Sequence, residues 1–348
     1  MADQKTDQQY ARTFYSRPAE KEPDLGPLAK LPGTWKAKGT GWNMIALPFK
    51  DRPPRTPPYR VLMNQYDEVL TFSFVDDNVP NRGVAVDQRV AALDYQQKIN
   101  QIAVEDCPAS KEKGGEGAPI HHEPGLFIRV KDHPTNKLNI ARLASIPHGN
   151  SVLALGESKP LGDMPPIPPL NALPLGRFED HSTPDYDVHT DRYLAPYKHF
   201  IDKPFMGKVK FPGFPGFEPL DMTSILNFAN QGLDFRNVIE LPLDTMVEDA
   251  GVHNMPFTVR EAEPVSMRST FWIQEVRPKN DPTADWQLRM QYVQVVMLDF
   301  FAPREDGMPG RIQWPHVSIA TLVKEPDAAG GYSAGAVVQD YDYPGDEV

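Results

Sequence analysis

The segment around His316 has the residue types and spacing that could support metal chemistry. Pro315 biases Trp314, the residue before it, toward an extended backbone. Alternate residues of an extended segment share a face, so His316 shares its face with Ser318 and Ala320. An imidazole nitrogen can ligate iron, and the small side chains beside it leave room for a flat ligand. From these residues alone, a core histidine hydrogen-bonded to a neighbour is the commoner alternative.

Two further segments contain groups that could transfer protons. His121 and His122 are adjacent, so on a strand only one of them can face the interior. The segment ASIPHG (144–149) predicts a tight turn near the barrel rim that carries His148, with Arg142 upstream. Such a base and such a cation could assist the cleavage of a peroxide bond. The alternatives are a plain rim turn for His148, a capping contact of His121 with Glu123, and a solvent-exposed Arg142, which we favour for that arginine.

The composition is that of an acidic globular protein. The chain has 348 residues, 40% of them hydrophobic, and a formal net charge of −11. This charge disfavours nucleic acid as a partner, because such binding needs Lys and Arg against phosphates. The one cysteine, Cys107, permits no intramolecular disulfide and fits a reducing cytoplasm. We expect no membrane span, since no apolar run approaches ~18 residues, and no secretion signal in the polar start.

The pattern of alternating residues predicts an all-β protein. Strand-like runs separated by turn signals cover 34–42, 59–76, 88–105, 120–130, 137–146, 151–156, 236–243, 255–261, 266–277, 286–301 and 311–324. The runs over 59–76 and 88–105 are each interpreted as two strands, the latter broken near Tyr95. Long helices do not alternate with these runs, which disfavours a doubly wound α/β fold. We therefore predict a closed antiparallel lipocalin-like β-barrel of about ten strands.

Proline residues are concentrated in one segment of the chain. The sequence contains 37 prolines, and a dozen of them fall between about 159 and 219, where regular runs are few. We predict that 159–235 is an insertion that packs on the barrel through its aromatic residues, with a helix over 221–231. A single domain would then cover 26–326. The polar arm 1–25 and the acidic tail 327–348 would lie outside it.

Four segments resemble, in the same order, the nitrobindin family of haem-binding β-barrels, which is related in shape to fatty-acid-binding proteins. They are LAKLPGTWKAKGTGW (28–42), NQYDEVLTFSFV (64–75), HHEPGLFIRVKDHPTNKL (121–138) and IQWPHVSIATLVK (312–324). The third segment is the most specific, since it joins a His-x-Glu-x-Gly run to a later Thr-Asn-Lys. The chain departs from the family at Ala37, where the pattern has glycine, and in the 159–235 insertion. Its length is similar to that of a larger, peroxidase-type subgroup.

The resemblance implies that the barrel holds haem b, with His316 as the protein ligand of the iron. The chain has no Cys-x-x-Cys-His run, so such a haem is held non-covalently. The resemblance aligns His121 with an inward histidine, and Ile120 then points outward unless a β-bulge intervenes. It also places Met297 against the porphyrin, with core packing as the alternative for this residue. Trp35 is expected to close the base of the barrel, which is a structural role.

Three functions remain as alternatives. The first, which His148 and Arg142 favour, is a haem enzyme with peroxidase-like activity on peroxide or a reactive nitrogen species, with peroxynitrite isomerisation as a second choice. The second is a haem or NO carrier or sensor without enzymatic activity. The third is a haem-free barrel that binds an apolar ligand, as fatty-acid-binding barrels do. The expected partners are haem and a small oxidant or NO-type ligand, and a homodimer is implied by the resemblance alone.

Overall fold

Long antiparallel strands make up most of the chain. The computed structural model describes residues 23–326, apart from 53, 82–87, 133–136, 147–148, 176–187, 255–261 and 301–311. The strands are β1 (Gly33–Pro48), β2 (Tyr59–Asn81), β3 (Gln88–Cys107), β4 (Pro119–Val130), β5 (Ile140–Ile146), β6 (Asn150–Gly156), β7 (Lys159–Leu161), β8 (Leu233–Asp244), β9 (Gly251–Asn254), β10 (Glu263–Pro278), β11 (Gln287–Phe300) and β12 (Ile312–Lys324).

Helical structure in the described residues is short. Two α-helices, α1 (Ala195–Asp202) and α2 (Ser224–Phe228), lie in the segment predicted as an insertion, and 3-10 turns form at Gly26–Leu28 and Arg192–Leu194. The predicted helix over 221–231 is therefore shortened to α2. Within the described ranges, no helix is both long and apolar enough to cross a membrane.

Ten of the strands close into a ring. Its order is β8-β10-β11-β12-β1-β2-β3-β4-β5-β6, and a pairing of Leu155 with Asp244 joins β6 back to β8. Strands β7 and β9 lie outside the ring, on β8 and β6 respectively. The predicted closed antiparallel β-barrel is confirmed.

The two runs predicted to break are continuous strands. Residues 59–76 lie within β2, and 88–105 lie within β3. The predicted break near Tyr95 is absent, because Tyr95 and Gln97 point into the barrel while Gln96 and Lys98 alternate with them within β3. The inward Gln97 is satisfied because its amide donates to Glu68 Oε1 at 2.7 Å. A polar residue is therefore tolerated at this inward strand position because it has a buried hydrogen-bond partner.

One half of the interior is filled by apolar side chains. Trp35 is fully buried in this half and its indole nitrogen donates to the Leu31 carbonyl at 2.8 Å. The 3-10 turn brings Leu28 into the same core, which closes this end of the barrel. Further members of the core come from strands all around the ring: Leu70, Phe72, Phe127, Ile140, Leu241, Ile273, Met290 and Leu322.

The Pro-rich segment packs on the outside of the barrel. Trp42 of β1 points outward, and its ring centroid lies 5.9 Å from that of Phe205 and 5.8 Å from that of Phe217. Buried polar groups anchor the same segment, since Gln291 of β11 donates to the Leu226 carbonyl at 3.1 Å and Arg289 donates to the Ala229 carbonyl at 2.8 Å. The segment thus lies behind the strands that carry His316 and its neighbours.

Candidate functional site

The half of the barrel opposite the Trp35 core contains inward-facing side chains that keep partial exposure. On β1, β11 and β12 these side chains alternate with outward residues that pack against the Pro-rich segment, and they are themselves only partly buried. An inward side chain stays accessible only if solvent enters the barrel beside it. We call this open half the chamber, and define it by Asn43, His121, Gln294, Val296, His316 and Ser318.

His316 lies on the inward face of β12. It pairs with Val296 of β11, while the neighbouring Val317 points outward into the core shared with the Pro-rich segment. Pro315 offers no N–H, and the β1–β12 pairing ends at Met44 and Val317. Beyond that point, the Leu175 N–H donates to the Gln313 carbonyl at 2.8 Å. His316 therefore lies where the wall of the barrel changes from β1 to the Pro-rich segment.

The imidazole of His316 is held by an asparagine of the next strand. The Asn43 Nδ2 lies 2.6 Å from His316 Nε2 and 2.9 Å from Ser318 Oγ. An amide nitrogen only donates, so Nε2 of His316 accepts and the proton of the neutral ring sits on Nδ1. His316 is thus an inward histidine that is hydrogen-bonded to a neighbouring side chain.

Met297 does not share the face of His316. It pairs with Pro315 and with Ser266, one position away from the pair of Val296 and His316. Adjacent strand residues point to opposite faces, so Met297 faces away from the chamber. The expected contact of Met297 with a porphyrin does not fit this register, and Val296 is the residue of β11 that pairs with His316.

A β-bulge in β4 decides the directions of Ile120 and His121. Ile99 pairs with His121 and Asn100 with Pro119, so Ile120 is the extra residue on β4. His121 faces the interior, and Ile120 packs against the interior core as well, because the bulge changes the local alternation. His122 is exposed on the outer face.

Arg142 is buried in the interior and not in solvent, which corrects the expectation that we favoured. Its guanidinium donates to Glu123 Oε1 at 2.5 Å, to the Tyr95 hydroxyl at 2.9 Å and to Gln294 Oε1 at 2.7 Å. The rings of Tyr95 and Phe271 flank it, with centroids 5.5 and 5.4 Å from its central carbon. A buried arginine is tolerated because the carboxylate and these acceptors replace water.

The ion pair with Arg142 keeps the Glu123 carboxyl ionised. Burial alone would raise the pKa of Glu123, but the Arg142 charge and the hydrogen bond from His121 outweigh it and lower that pKa to about 2. Burial would likewise lower the pKa of the Arg142 guanidinium, whereas the Glu123 carboxylate raises it. Burial raises the pKa of the Tyr95 hydroxyl. The pair is therefore ionised, and Tyr95 stays protonated as a donor to Glu123.

A second buried carboxyl, Glu68, lies beside this ion pair and was not singled out from the sequence. It accepts from Gln97 at 2.7 Å and from the Tyr292 hydroxyl at 2.8 Å, and Tyr292 lies 2.8 Å from the Tyr66 hydroxyl. Burial raises the pKa of Glu68 to about 7, against these hydrogen bonds, which lower it. The signal in the sequence was the alternation of Tyr66, Glu68 and Leu70, which places a carboxyl among inward residues.

A glycine makes room for the Tyr66 ring. The β1–β2 register shifts at Gly41, and a Cβ built on that residue would lie 2.0 Å from the Tyr66 ring. Only glycine therefore allows the backbone of β1 to approach this ring so closely. The Tyr66 hydroxyl consequently reaches both Tyr292 and the Ile319 carbonyl, at 3.1 Å.

Hydrogen bonds join the walls of the chamber. Arg142 spans the interior from Glu123 of β4 to Gln294 of β11. Gln294 is the register partner of Ser318, which accepts from the Asn43 amide that holds His316. His316 and His121 thus lie at the two ends of one polar layer. His148 lies outside the described residues, so its predicted role stays a prediction.

An open groove of about 550 Å³ lies on the outer wall and is distinct from the chamber. It is lined mainly by outward residues of β3 to β6: Asp94, Gln96, Pro124, Leu126, Leu143, Ser145 and Ser151. None of these is a candidate from the sequence.

Comparisons with known proteins give little further support. No protein-family model matches the chain, and no curated protein matches it. Among solved structures, the crystal structure of Rv2717c from M. tuberculosis is 14% identical, with a TM-score of 0.34 over 87% of this chain and 100% of that one. The class of the protein follows from its own strand pairing, which makes it a closed antiparallel β-barrel, a fold compatible with ligand binding.

Proposed function

We propose that the protein binds haem b non-covalently in the chamber, with His316 as the protein ligand of the iron. The observation that carries the proposal is a neutral imidazole on an inward face of the open half, beside the apolar Val296. A haem needs such a nitrogen, and Val296 offers an apolar contact for its macrocycle. Val317, the outward neighbour of His316, is fully buried against the Pro-rich segment, which fixes the strand from behind.

The residues around His316 fit this role after one side-chain rotation. The nitrogen that accepts from Asn43 is Nε2, and ligation through Nε2 requires the amide to leave it. Ser318 Oγ already accepts from the same amide nitrogen, so Asn43 keeps a partner when it turns. When bound, the haem supplies an open sixth position at which peroxide or an NO-type ligand can bind. We propose peroxidase-like chemistry at that position, in a chamber whose walls hold His121.

A haem titration tests the proposal. Wild-type protein should give a Soret band that saturates at one haem per chain, and His316→Ala should lose that band or shift it with weaker affinity. His253→Ala is the matched control, because His253 lies exposed on β9 outside the ring. Equal spectra and affinities for wild type and His316→Ala would overturn the ligand assignment. No Soret band for wild type would overturn haem binding.

A haem-free binder of apolar ligands is the second candidate, and one observation favours it. The Asn43 hydrogen bond occupies Nε2 of His316, which is the state expected of a histidine that only lines a pocket. A fluorescent fatty acid separates the two functions. Binding of the fatty acid that is unaffected by haem and by His316→Ala supports this second function, whereas competition with haem supports the first.

A further inference from the structure

We propose that Glu68 is a pH-sensitive switch in the barrel interior, whose proton decides whether Tyr66 is hydrogen-bonded to β12. The inference goes beyond the proposed function and does not depend on any ligand, because it concerns buried groups of the protein alone. Glu68 is 1% exposed, and its carboxyl is contacted by the Gln97 amide and by the Tyr292 hydroxyl. From this carboxyl, a chain of three contacts runs to the backbone of β12.

The number of protons in this chain depends on Glu68. Its Oε2 lies 2.8 Å from the Tyr292 hydroxyl, which lies 2.8 Å from the Tyr66 hydroxyl. The Tyr66 hydroxyl lies 3.1 Å from the Ile319 carbonyl oxygen. Each contact needs one proton, and the two tyrosines bring only two, since a hydroxyl carries one O–H and a carbonyl carries none. The third proton can come only from the carboxyl of Glu68.

A protonated Glu68 satisfies the whole chain in one direction. The carboxyl donates to the oxygen of Tyr292, and the Tyr292 hydroxyl donates to the oxygen of Tyr66. Tyr66 is then free to donate to the Ile319 carbonyl. The other carboxyl oxygen, Oε1, keeps its hydrogen bond from Gln97 at 2.7 Å. All three contacts therefore hold a proton, and β2 is tied to β12.

An ionised Glu68 reverses the chain. A carboxylate only accepts hydrogen bonds, so the Tyr292 hydroxyl must donate to Oε2. A hydroxyl that donates to a carboxylate is polarised and becomes the stronger acceptor, so Tyr66 donates to Tyr292 and not to the more distant Ile319 carbonyl. Ionisation of Glu68 thus releases the hydrogen bond between Tyr66 and β12.

The charges near Glu68 leave it without an ion pair among the described residues. The titratable and charged groups that face it are Tyr66 of its own strand, His121 of β4, Arg142 of β5 and Tyr292 of β11. Arg142, the permanent cation among them, is bonded to Glu123. Burial therefore outweighs the hydrogen bonds and these charges, and raises the pKa of Glu68 to about 7. The carboxyl is protonated in mild acid and ionised above neutral pH.

The switch acts on strands that line the chamber. Ile319 directly follows Ser318 on β12, and Tyr292 lies two positions before Gln294 on β11. Ser318 and Gln294 both belong to the polar layer of the chamber. Protonation of Glu68 therefore ties this wall of the chamber to β2, and ionisation releases the tie.

Infrared spectroscopy of the ligand-free protein tests the proton on Glu68. A protonated carboxyl has a C=O stretching band that a carboxylate lacks. We expect such a band in the wild type at about pH 6, its absence in Glu68→Gln, and its loss from the wild type with a midpoint near pH 7. Absence of a band that depends on Glu68 at about pH 6 would overturn the switch.

The variant Tyr66→Phe tests the chain itself. Without the Tyr66 hydroxyl, one contact remains, and the Tyr292 proton satisfies it when Glu68 is ionised. The protonated form would then leave a buried donor without a partner, so the midpoint of the band should fall by on the order of one pH unit. Tyr95→Phe is the matched control, because Tyr95 is a buried tyrosine that bonds to Glu123, and its midpoint should stay at the wild-type value. An unchanged or raised midpoint in Tyr66→Phe would overturn the chain.

Amide hydrogen exchange tests the effect on β12. From about pH 6 to about pH 8.5, amides of β12 around Ile319 should lose roughly fivefold in protection, corrected for intrinsic rates, because one hydrogen bond is released. Amides of β8 are the reference, since β8 does not pair with β12. Glu68→Gln should show no such loss, because its amide donates to Tyr292 at every pH. An equal loss in β8 and β12 would mean that Glu68 affects only overall stability, and would overturn the switch.

Discussion

The amide nitrogen Nδ2 of Asn43 on β1 lies 2.6 Å from Nε2 of His316 on β12, and this amide nitrogen also donates to Ser318 Oγ at 2.9 Å. The nitrogen that we propose as the iron ligand, Nε2 of His316, is therefore engaged in a hydrogen bond that must break before the metal can bind. The barrel closes β1 against β12, so the contact depends on the register between strands far apart in sequence. Ligand affinity should therefore depend on residue 43 as well as on residue 316.

We expect Asn43→Ala to tighten haem binding. The variant removes a competing hydrogen bond worth about 1 kcal/mol, which corresponds to roughly fivefold in Kd. Soret titrations of wild type and variant give the ratio. A double-mutant cycle provides the control, because Asn43→Ala should change nothing in a His316→Ala background. A weaker affinity in the single variant would show that Asn43 supports the site and does not compete with it.

Glu68 should make the protein more stable in mild acid than at alkaline pH. The folded pKa of about 7 exceeds the ordinary value of 4.5, so between these values the folded state holds more protons than the unfolded state. Stability is thus fully present below pH 4.5 and falls as pH rises through 7, by on the order of 3 kcal/mol.

The measurement for Glu68 is urea unfolding at several pH values between 4.5 and 8.5. Glu68→Gln cannot ionise, so its stability should exceed that of the wild type at pH 8.5 and lose most of this dependence on pH. The exposed Glu157→Gln serves as control and should follow the wild type. Parallel curves for wild type and Glu68→Gln would contradict the raised pKa.

Arg142→Met should destabilise the fold by roughly 3–5 kcal/mol at neutral pH, because it leaves Glu123 buried without its charge partner. Burial would then raise the pKa of Glu123, so the loss should be smaller at pH 4, where the carboxyl can take up a proton. Chemical unfolding at the two pH values measures both effects. Arg142→Met/Glu123→Gln should be more stable than the single variant, and a double variant that is less stable would contradict the pairing.

Phe217→Ala should destabilise the whole barrel by about 3–5 kcal/mol, since the ring is fully buried against Trp42. The Pro-rich segment would then unfold together with the strands that it covers. Phe211→Ala is the control, because Phe211 in the same segment is 40% exposed, and it should cost much less. Thermal unfolding followed in the far ultraviolet distinguishes them. Separate transitions for the segment and the barrel would contradict a shared core.

Much of the fold could be predicted because strand patterning is local. Alternation around His316 correctly grouped it with Ser318 and Ala320 on one face. The same reasoning wrongly predicted a break between two strands near Tyr95, because the residues that follow it are polar. Gln97 belongs to a strand because Glu68, on a neighbouring strand, accepts its hydrogen bond. A local pattern cannot show that partner.

The site was predictable only in part. The adjacency of His121 and His122 required that one of them face inward, and the β-bulge at Ile120 fixed which side each neighbour takes. The family resemblance implies that Met297 lies in the pocket, against the porphyrin. Met297 pairs with Pro315 and not with His316, so its side chain lies on the opposite face of the sheet from His316. A shift of one residue in strand register is enough to exchange the two faces.

The sequence by itself determined the class of fold, the face that His316 shares with Ser318 and Ala320, and the presence of one long Pro-rich segment with few regular runs. These depend on side-chain periodicity and on proline, which act within a few residues. The tertiary structure decided that Arg142 is buried against Glu123, that Glu68 lies beside them, and that the Pro-rich segment covers the outer wall. Those outcomes depend on the closure of the strands into a barrel and on which charged side chains then lie side by side in its interior. Only the folded chain brings such distant residues together.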